Sequence, residues 1–254
     1  MNSITRYILK SNLPFYYGDF HSYDRWRFIK NTLRYEGQNK KIVDLGCGKG
    51  TYAIELAKSG KSVNGINISE EDVIVARKRC EDFMVNNCFF EVDDLRELGK
   101  RKDLFGKFDV AICSEVIEHI LNDKKLLKDI NKILVDGGAL LLTTPFYKEA
   151  HLNNNLLKEI EDGGHVREGY NLQTLKKLLK ESGFICEDIG YCTGSISMAL
   201  SRFIGEISKI NYFTSRVIAL PFKLFYWIID MPFTKMIGKN PCSICIHAKK
   251  IKAN

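Results

Sequence analysis

Acidic residues are scarce at one end of this chain. Residues 194–254 hold two Asp or Glu against nine Lys or Arg, so the whole net charge of +7 lies in the last quarter. Such a segment suits an anionic surface, either nucleic acid or membrane. No secretory leader is expected either. Residues 1–20 mix polar and aromatic side chains without a basic start, an apolar core and a small-residue cleavage site, and a cytoplasmic protein is expected. No clean transmembrane run is present either: Val217 to Ile229 is the apolar stretch, and Pro221 and Lys223 interrupt it. The eight cysteines are scattered. Cys242-Ser-Ile-Cys245 has no second close ligand pair, Cys186 and Cys192 being too far apart. Cys47, Cys80, Cys88 and Cys113 fall in or beside apolar core segments. Reduced thiols and no metal site are expected.

Two familiar phosphate-binding loops are missing as well. Lys41 to Ala57 sets a short apolar strand, three alternate glycines (Gly46, Gly48, Gly50) and a helix. A dinucleotide loop needs glycine three positions after Gly48, where Thr51 stands; a P-loop needs Ser or Thr after Lys49, where Gly50 stands. Glycine here still permits a tight strand-to-helix turn and close approach of a ligand to the backbone. Asp44-Leu-Gly-Cys-Gly-Lys-Gly50 resembles the first motif of class I S-adenosylmethionine-dependent methyltransferases.

The rest of the chain keeps that family's order. Lys61 to Asp72 looks like the second strand, which ends in the family on an acid for the ribose hydroxyls; Asn67 occupies that place here, with Ile68 beside it. Cys88 to Leu95 is similar to the third strand, where the resemblance implies that Asp94 accepts from the adenine amino group and Leu95 flanks the ring. Phe108 to Ile120 resembles the fourth strand and its active-site turn, Asp136 to Pro145 the fifth strand, and Gly164 to Phe184 the approach to the sixth. Tyr23-Asp-Arg-Trp-Arg-Phe-Ile29 resembles the N-terminal helix of ubiquinone-biosynthesis-type O-methyltransferases, in which an arginine reaches the methionine carboxylate; Arg25 is the match and Arg27 the alternative. The cofactor-binding set implied is Arg25, Asp44, Gly46, Cys47, Gly48, Asn67, Ile68, Asp94, Leu95 and Ser114, with S-adenosylmethionine as cofactor.

The physical pattern agrees. Runs rich in Val, Ile and Leu alternate with helix-period segments, as in a parallel sheet covered on both faces. Ser69 with Glu71 and Asp72, and Asn122-Asp123 before Leu126, Leu127, Ile130 and Leu134, mark helix starts. Ligands bind at the carboxyl ends of such strands, and Asp44, Asn67, Asp94 and Ser114 end the first four. The resemblance implies an α/β, doubly wound, Rossmann-like sheet of seven strands in the order 3-2-1-4-5-7-6, strand 7 antiparallel, with a helical insertion before the last strand. The expected domains are a core over 1–193 with an N-terminal helix, an insertion over 194–240, and the last strand over 241–254.

Methyl transfer needs a nucleophile held in line and a base. His119, after the fourth strand, and His165, before the sixth, are the candidate catalytic residues. Glu115 and Glu118 stand beside them, as groups that orient a histidine or bind substrate, or as helix-terminal charges. Phe146 to Arg167, with Tyr147, His151, Asn153, Asn154 and Asn155, is the expected acceptor loop. Cys113-Ser-Glu-Val is not the Asp/Asn-Pro-Pro-aromatic turn of base methylases. The expected acceptor is therefore a hydroxyl or similar group on a small or lipid-linked molecule, not nucleic acid. A second function class, a methyltransferase-like binding protein without turnover, is raised by Asn67 and by the apolar C-terminal segment. In that segment Arg202, Lys209, Arg216 and Lys223 recur every seven residues, along one helical stripe, within the apolar run Ile196 to Ile237. Peripheral docking on the inner face of a membrane and packing as a cap on the core are both open.

Overall fold

The computed structural model describes residues 19–36, 40–148, 158 and 160–252, without the side chains of Tyr212, Phe213 and Arg216. His151, Asn153, Asn154 and Asn155 of the expected acceptor loop, and the N-terminus up to residue 18, lie outside them. The chain divides into two compact units, residues 29–190 with 244–254 and residues 1–28 with 191–243. This grouping joins the start of the N-terminal helix to the helical insertion.

The larger unit is built on a seven-stranded sheet in the order β3-β2-β1-β4-β5-β7-β6, with β7 antiparallel, as the resemblance implied. Its strands are β1 (Lys41–Leu45), β2 (Ser62–Asn67), β3 (Cys88–Val92), β4 (Phe108–Ser114), β5 (Leu134–Pro145), β6 (Phe184–Cys192) and β7 (Ser243–Lys250). β1 pairs in parallel with β2 and with β4, β2 with β3, and β4 with β5. Ile42, Val43, Leu45, Ala111, Ile112 and Leu140 are buried in the sheet, the near-continuous apolar reading of strands covered on both faces. Helices α2 (Thr51–Lys58), α3 (Glu70–Phe83), α4 (Asp123–Ile133) and α5 (Leu172–Glu181) connect the strands. Their caps are legible: Ser69 Oγ accepts from the Asp72 N–H at 3.2 Å, Asn122 Oδ1 from Lys125 at 3.0 Å and Asn171 Oδ1 from Thr174 at 2.8 Å. α4 buries Leu126, Leu127, Ile130 and Ile133. Leu134, which continues the helical spacing in sequence, instead opens β5 opposite Phe108. The register then shifts to Val110 against Ala139, and Gly137 at φ +73° takes up the extra chain.

In the smaller unit the first turns of α1 (Phe20–Tyr35) accompany α6 (Ser195–Ile210) and α7 (Tyr212–Met236). Two sequence expectations are corrected here. The single basic stripe is broken, because Asn211 is extended at φ −151° and ψ 111° and caps α7 by accepting from the Thr214 N–H; moreover Lys223 turns inward, 1 % exposed, over the Phe20 and Tyr23 rings. The apolar run is also longer than expected: α7 continues through Pro221 and Pro232, so Val217–Met236 forms 20 residues long and apolar enough to cross a membrane. The buried stripe of α7 is Ser215, Ala219, Lys223, Tyr226, Asp230 and Thr234. Asp230 accepts from the Gly194 and Ile196 N–H groups at 2.7 and 2.8 Å and from the Ser197 hydroxyl at 2.6 Å, and Thr234 Oγ1 accepts from the Ser195 N–H at 2.7 Å. The start of α6 thus meets the last turns of α7, and the two helices run antiparallel. Asp24 accepts from the same Ser197 hydroxyl and from Tyr226, while burial pushes its carboxyl up to about 6.

Candidate functional site

The strand-to-helix turn after β1 explains its three glycines. Gly46, Gly48 and Gly50 have φ of +71°, +50° and +72°, a region costly for other residues. A Cβ on Gly46 would lie 2.4 Å from Val116 Cγ2 and one on Gly50 2.5 Å from Phe90 Cζ, whereas one on Gly48 would meet nothing within 4 Å. Two glycines therefore make room for packing and the middle one leaves open space. The Gly46 and Cys47 N–H groups both donate to the Ile66 carbonyl, at 2.8 and 3.1 Å, which ties the turn to β2. Cys47 is buried, and that burial pushes its thiol well above the usual range.

Asp44 is 2 % exposed. Burial pushes its carboxyl up to about 7, against a hydrogen bond from the Ala53 N–H. Its Oδ2 has no hydrogen-bond partner among the described residues. A buried acceptor without a donor beside an open glycine turn fits a ligand that brings a positively charged amino group, as S-adenosylmethionine does.

Next to the turn the ends of the parallel strands enclose a cleft of about 310 Å³. Gly46, Asn67, Ile68, Asp94, Leu95 and His119 line it, with Arg96, Glu115, Val116, Ile120, Glu161 and Gly163. Six of the residues chosen from sequence are thus brought together. Asp94 caps the short 3₁₀ turn Leu95–Lys100 by accepting from the Arg96 N–H at 2.9 Å. Arg96 Nε also donates to both Asp94 oxygens at 2.8 Å, and this pairing holds the Asp94 carboxyl below its usual range. Arg96 reaches on to Glu161 at 2.9 Å. Arg96, Ile120 and Glu161 also line a neighbouring cavity of about 500 Å³.

The opposite wall is the turn after β4. Glu115 is held at φ +55°, its N–H donating to the Thr143 carbonyl at 2.9 Å and its Oε1 accepting from Thr143 Oγ1 at 3.1 Å. The 3₁₀ turn Ile117–His119 follows. The Val166 N–H donates to the Glu118 carbonyl at 3.0 Å and brings the residue 160–170 segment alongside. Arg167 fastens that segment through Asp123 and through the Ile120 and Leu121 carbonyls at 2.9 Å. The His119 and His165 rings consequently meet edge to face, centroids 4.6 Å apart. One ligand atom each from Glu118, His119 and His165 lie within 4.8 Å of one another, a set able to hold a divalent cation. Sequence reasoning expected no metal and did not combine these three.

Other expected residues sit elsewhere. Ser114 ends β4, but its hydroxyl is bonded to Thr143 Oγ1 at 2.8 Å and it does not line the cleft. Asp44, in β1, and Cys47 and Gly48, in the turn after it, do not line the cleft. His165 is exposed beside His119. Arg25 belongs to α1 in the other unit, as does Arg27, whose guanidinium lies 3.9 Å from the Trp227 ring centroid. Arg96 was missed, and Glu161 and Gly163 were covered only as unnamed members of the expected acceptor loop, Phe146 to Arg167. Only adjacency to Asp94 could have singled out Arg96; nothing local marks the other two.

Known proteins bear on this geometry. The family model "Methyltransferase domain" matches residues 20–188. A ubiquinone biosynthesis O-methyltransferase of Glaesserella parasuis is 32% identical over 107 residues, 41% of this chain and 45% of the relative. One from Coxiella burnetii is 29% identical over 120 residues, 47% of this chain and 49% of the relative. The chain thus spans about half the length of these relatives. Among solved structures, phosphoethanolamine N-methyltransferase 2 of Haemonchus contortus, in complex with S-adenosylmethionine, aligns with a TM-score of 0.64 at 21% identity, over 89% of this chain and 52% of that one. The [4+2]-cyclase SpnF aligns at 0.60 and 17% identity, over 85% and 76%; both show the fold. With the family model covering most of the sheet and the strands in the order β3-β2-β1-β4-β5-β7-β6, the chain belongs to the class I S-adenosylmethionine-dependent methyltransferases.

Proposed function

We propose that this protein transfers the methyl group of S-adenosylmethionine to a hydroxyl or similar nucleophile on a small or lipid-linked acceptor. The observation that carries the proposal is the single cleft that brings Gly46, Asn67, Asp94 and His119 together. When bound, the cofactor supplies an already activated methyl group, so the chain's tasks are positioning and removal of one proton. Asp44 and the turn at Gly46 to Gly48 would hold the amino acid portion, Asn67 the ribose, and Asp94 with Ile68 and Leu95 the adenine. His119, which lines the cleft, would take the acceptor's proton, with His165 packed against it. The names of the relatives favour oxygen as the atom methylated and disfavour a binding protein without turnover.

A second reading of the chemistry is favoured by the Glu118, His119 and His165 grouping: a divalent cation held there would bind and acidify an acceptor hydroxyl in place of a histidine base. Chelation with restoration by added cation separates the two. We further propose a peripheral contact of residues 196–237 with the inner face of a membrane, which would bring the enzyme to an amphiphilic acceptor. Calorimetry with S-adenosylhomocysteine tests the cofactor site. Incubating cell extracts with the protein and isotope-labelled methyl donor, followed by mass spectrometry, identifies the acceptor, and binding without any label transfer would sink the enzymatic proposal.

A further inference from the structure

The helices of the smaller unit enclose a small apolar cluster of Phe20, Ile204, Ala219 and Tyr226, yet leave a second apolar face of α7 uncovered. α7 buries a largely polar stripe, with Lys223, Tyr226, Asp230 and Thr234 facing inward, and exposes Leu224, Phe225, Ile228, Ile229 and Met236, each more than half exposed. At 100° per residue these five lie on the side of α7 away from the buried stripe. Large apolar side chains contiguous along one helix face mark a surface that meets another apolar phase. The inward groups are satisfied within the unit: Asp230 by the α6 N–H groups and Ser197, Lys223 by the Phe20 and Tyr23 rings. Such an arrangement matches a helix whose outer solvent is hydrocarbon, where polar side chains turn to the bundle interior.

We infer that α7 lies along an anionic lipid surface with this face immersed in one leaflet. The inference rests on the membrane contact proposed above and specifies its geometry. Charge selects the partner: residues 194–243 of this unit carry six Lys or Arg against two Asp or Glu, with Arg202, Lys235 and Lys239 exposed, which favours anionic headgroups and opposes pairing with a second, equally basic copy. Length alone would let Val217–Met236 span the bilayer. The antiparallel partner α6 forbids it, because Arg202, Glu206 and Lys209 are exposed along its length and would be carried into hydrocarbon with it. Lying flat, with α7 down and the charges of α6 at headgroup level, satisfies both helices.

The test is flotation of the full chain with vesicles of phosphatidylcholine and phosphatidylglycerol, and with phosphatidylcholine alone. Anionic vesicles should carry the protein, and the triple variant Phe225→Ser, Ile228→Ser, Ile229→Ser should lower the bound fraction about tenfold or more. Brominated lipid should quench Trp227 fluorescence in the wild type, and alkaline carbonate should release the protein. Calorimetry with S-adenosylhomocysteine, run without vesicles on both forms, reports the cofactor site separately. Unchanged affinity in the triple variant keeps a loss of flotation from being a loss of fold. A wild type that stays soluble with anionic vesicles overturns the inference, as does a concentration-dependent dimer abolished by the same triple. Retention through carbonate would replace the flat orientation by a span.

Discussion

Gly48 and Gly50 offer two probes of one turn, because the structure assigns them different constraints. Gly50→Ala forces a left-handed φ of +72° on an L-residue, about 1–2 kcal/mol, and drives a methyl to 2.5 Å from Phe90 Cζ and 3.1 Å from Ala76 Cβ. Overpacking of that kind adds about 1–3 kcal/mol, so the total is about 2–5 kcal/mol. Gly48→Ala at φ +50° meets nothing within 4 Å and should cost only the conformational part, about 1–2 kcal/mol. In binding the order reverses. If the cofactor approaches the backbone at the open side of Gly48, as proposed, Gly48→Ala should weaken S-adenosylhomocysteine about tenfold and Gly48→Val should abolish binding. Denaturant titration measures the first effect and calorimetry the second, with Phe90→Leu added to Gly50→Ala to recover about 1 kcal/mol of the clash. Equal stabilities for the two alanine variants would refute the packing argument. Full affinity in folded Gly48→Val would refute the placement of the cofactor.

Asn67→Asp should tighten the cofactor several-fold in calorimetry, since a carboxylate accepts a stronger hydrogen bond from a ribose hydroxyl by about 1 kcal/mol; weaker binding would remove Asn67 from the ribose. Because burial raises Asp44 from 3.8 to about 7, the folded protein binds more protons than the unfolded chain between those values. Stability without cofactor should therefore fall as pH rises from about 4 to about 7, by up to about 1.4 kcal/mol per unit, and level off above; Asp44→Asn should flatten the slope. If the cofactor's ammonium pairs with this carboxylate, affinity should run the other way, strengthening as pH rises towards about 7, and a pH-independent affinity would argue against the pair. His119→Ala should lower turnover about 10²-fold or more with cofactor affinity nearly intact, and near-normal turnover in both His119→Ala and His165→Ala would leave positioning alone. A chelator should leave the rate unchanged if a histidine is the base; loss restored by Mg²⁺, Mn²⁺ or Zn²⁺ would transfer the role to a cation at Glu118, His119 and His165.

The order of elements and the glycine turn were legible in the sequence because each is locally encoded, whereas the strand order came with the resemblance to the methyltransferases. Strand ends, caps such as Ser69 and Asn122, and glycines at positive φ act over a few residues, and a parallel α/β sheet then brings its strand ends to one edge. Asn67, Asp94 and His119 reach one cleft for that reason. What crosses the chain was not legible. Glu161 meets Arg96, and His165 meets His119, only because the residue 160–170 segment is fastened by Val166 and Arg167 to the turn after β4. Ser114 stood at the right strand end, yet Thr143 on the neighbouring strand claims its hydroxyl. The same limit governs α7. Sequence periodicity gives a helix with two unlike faces, but which face turns inward depends on what packs against it, and here Asp230, Lys223 and Tyr226 find their partners in α6 and α1. Composition determined that residues 194–254 are apolar and basic; tertiary packing decided that the polar stripe is buried and the apolar one exposed.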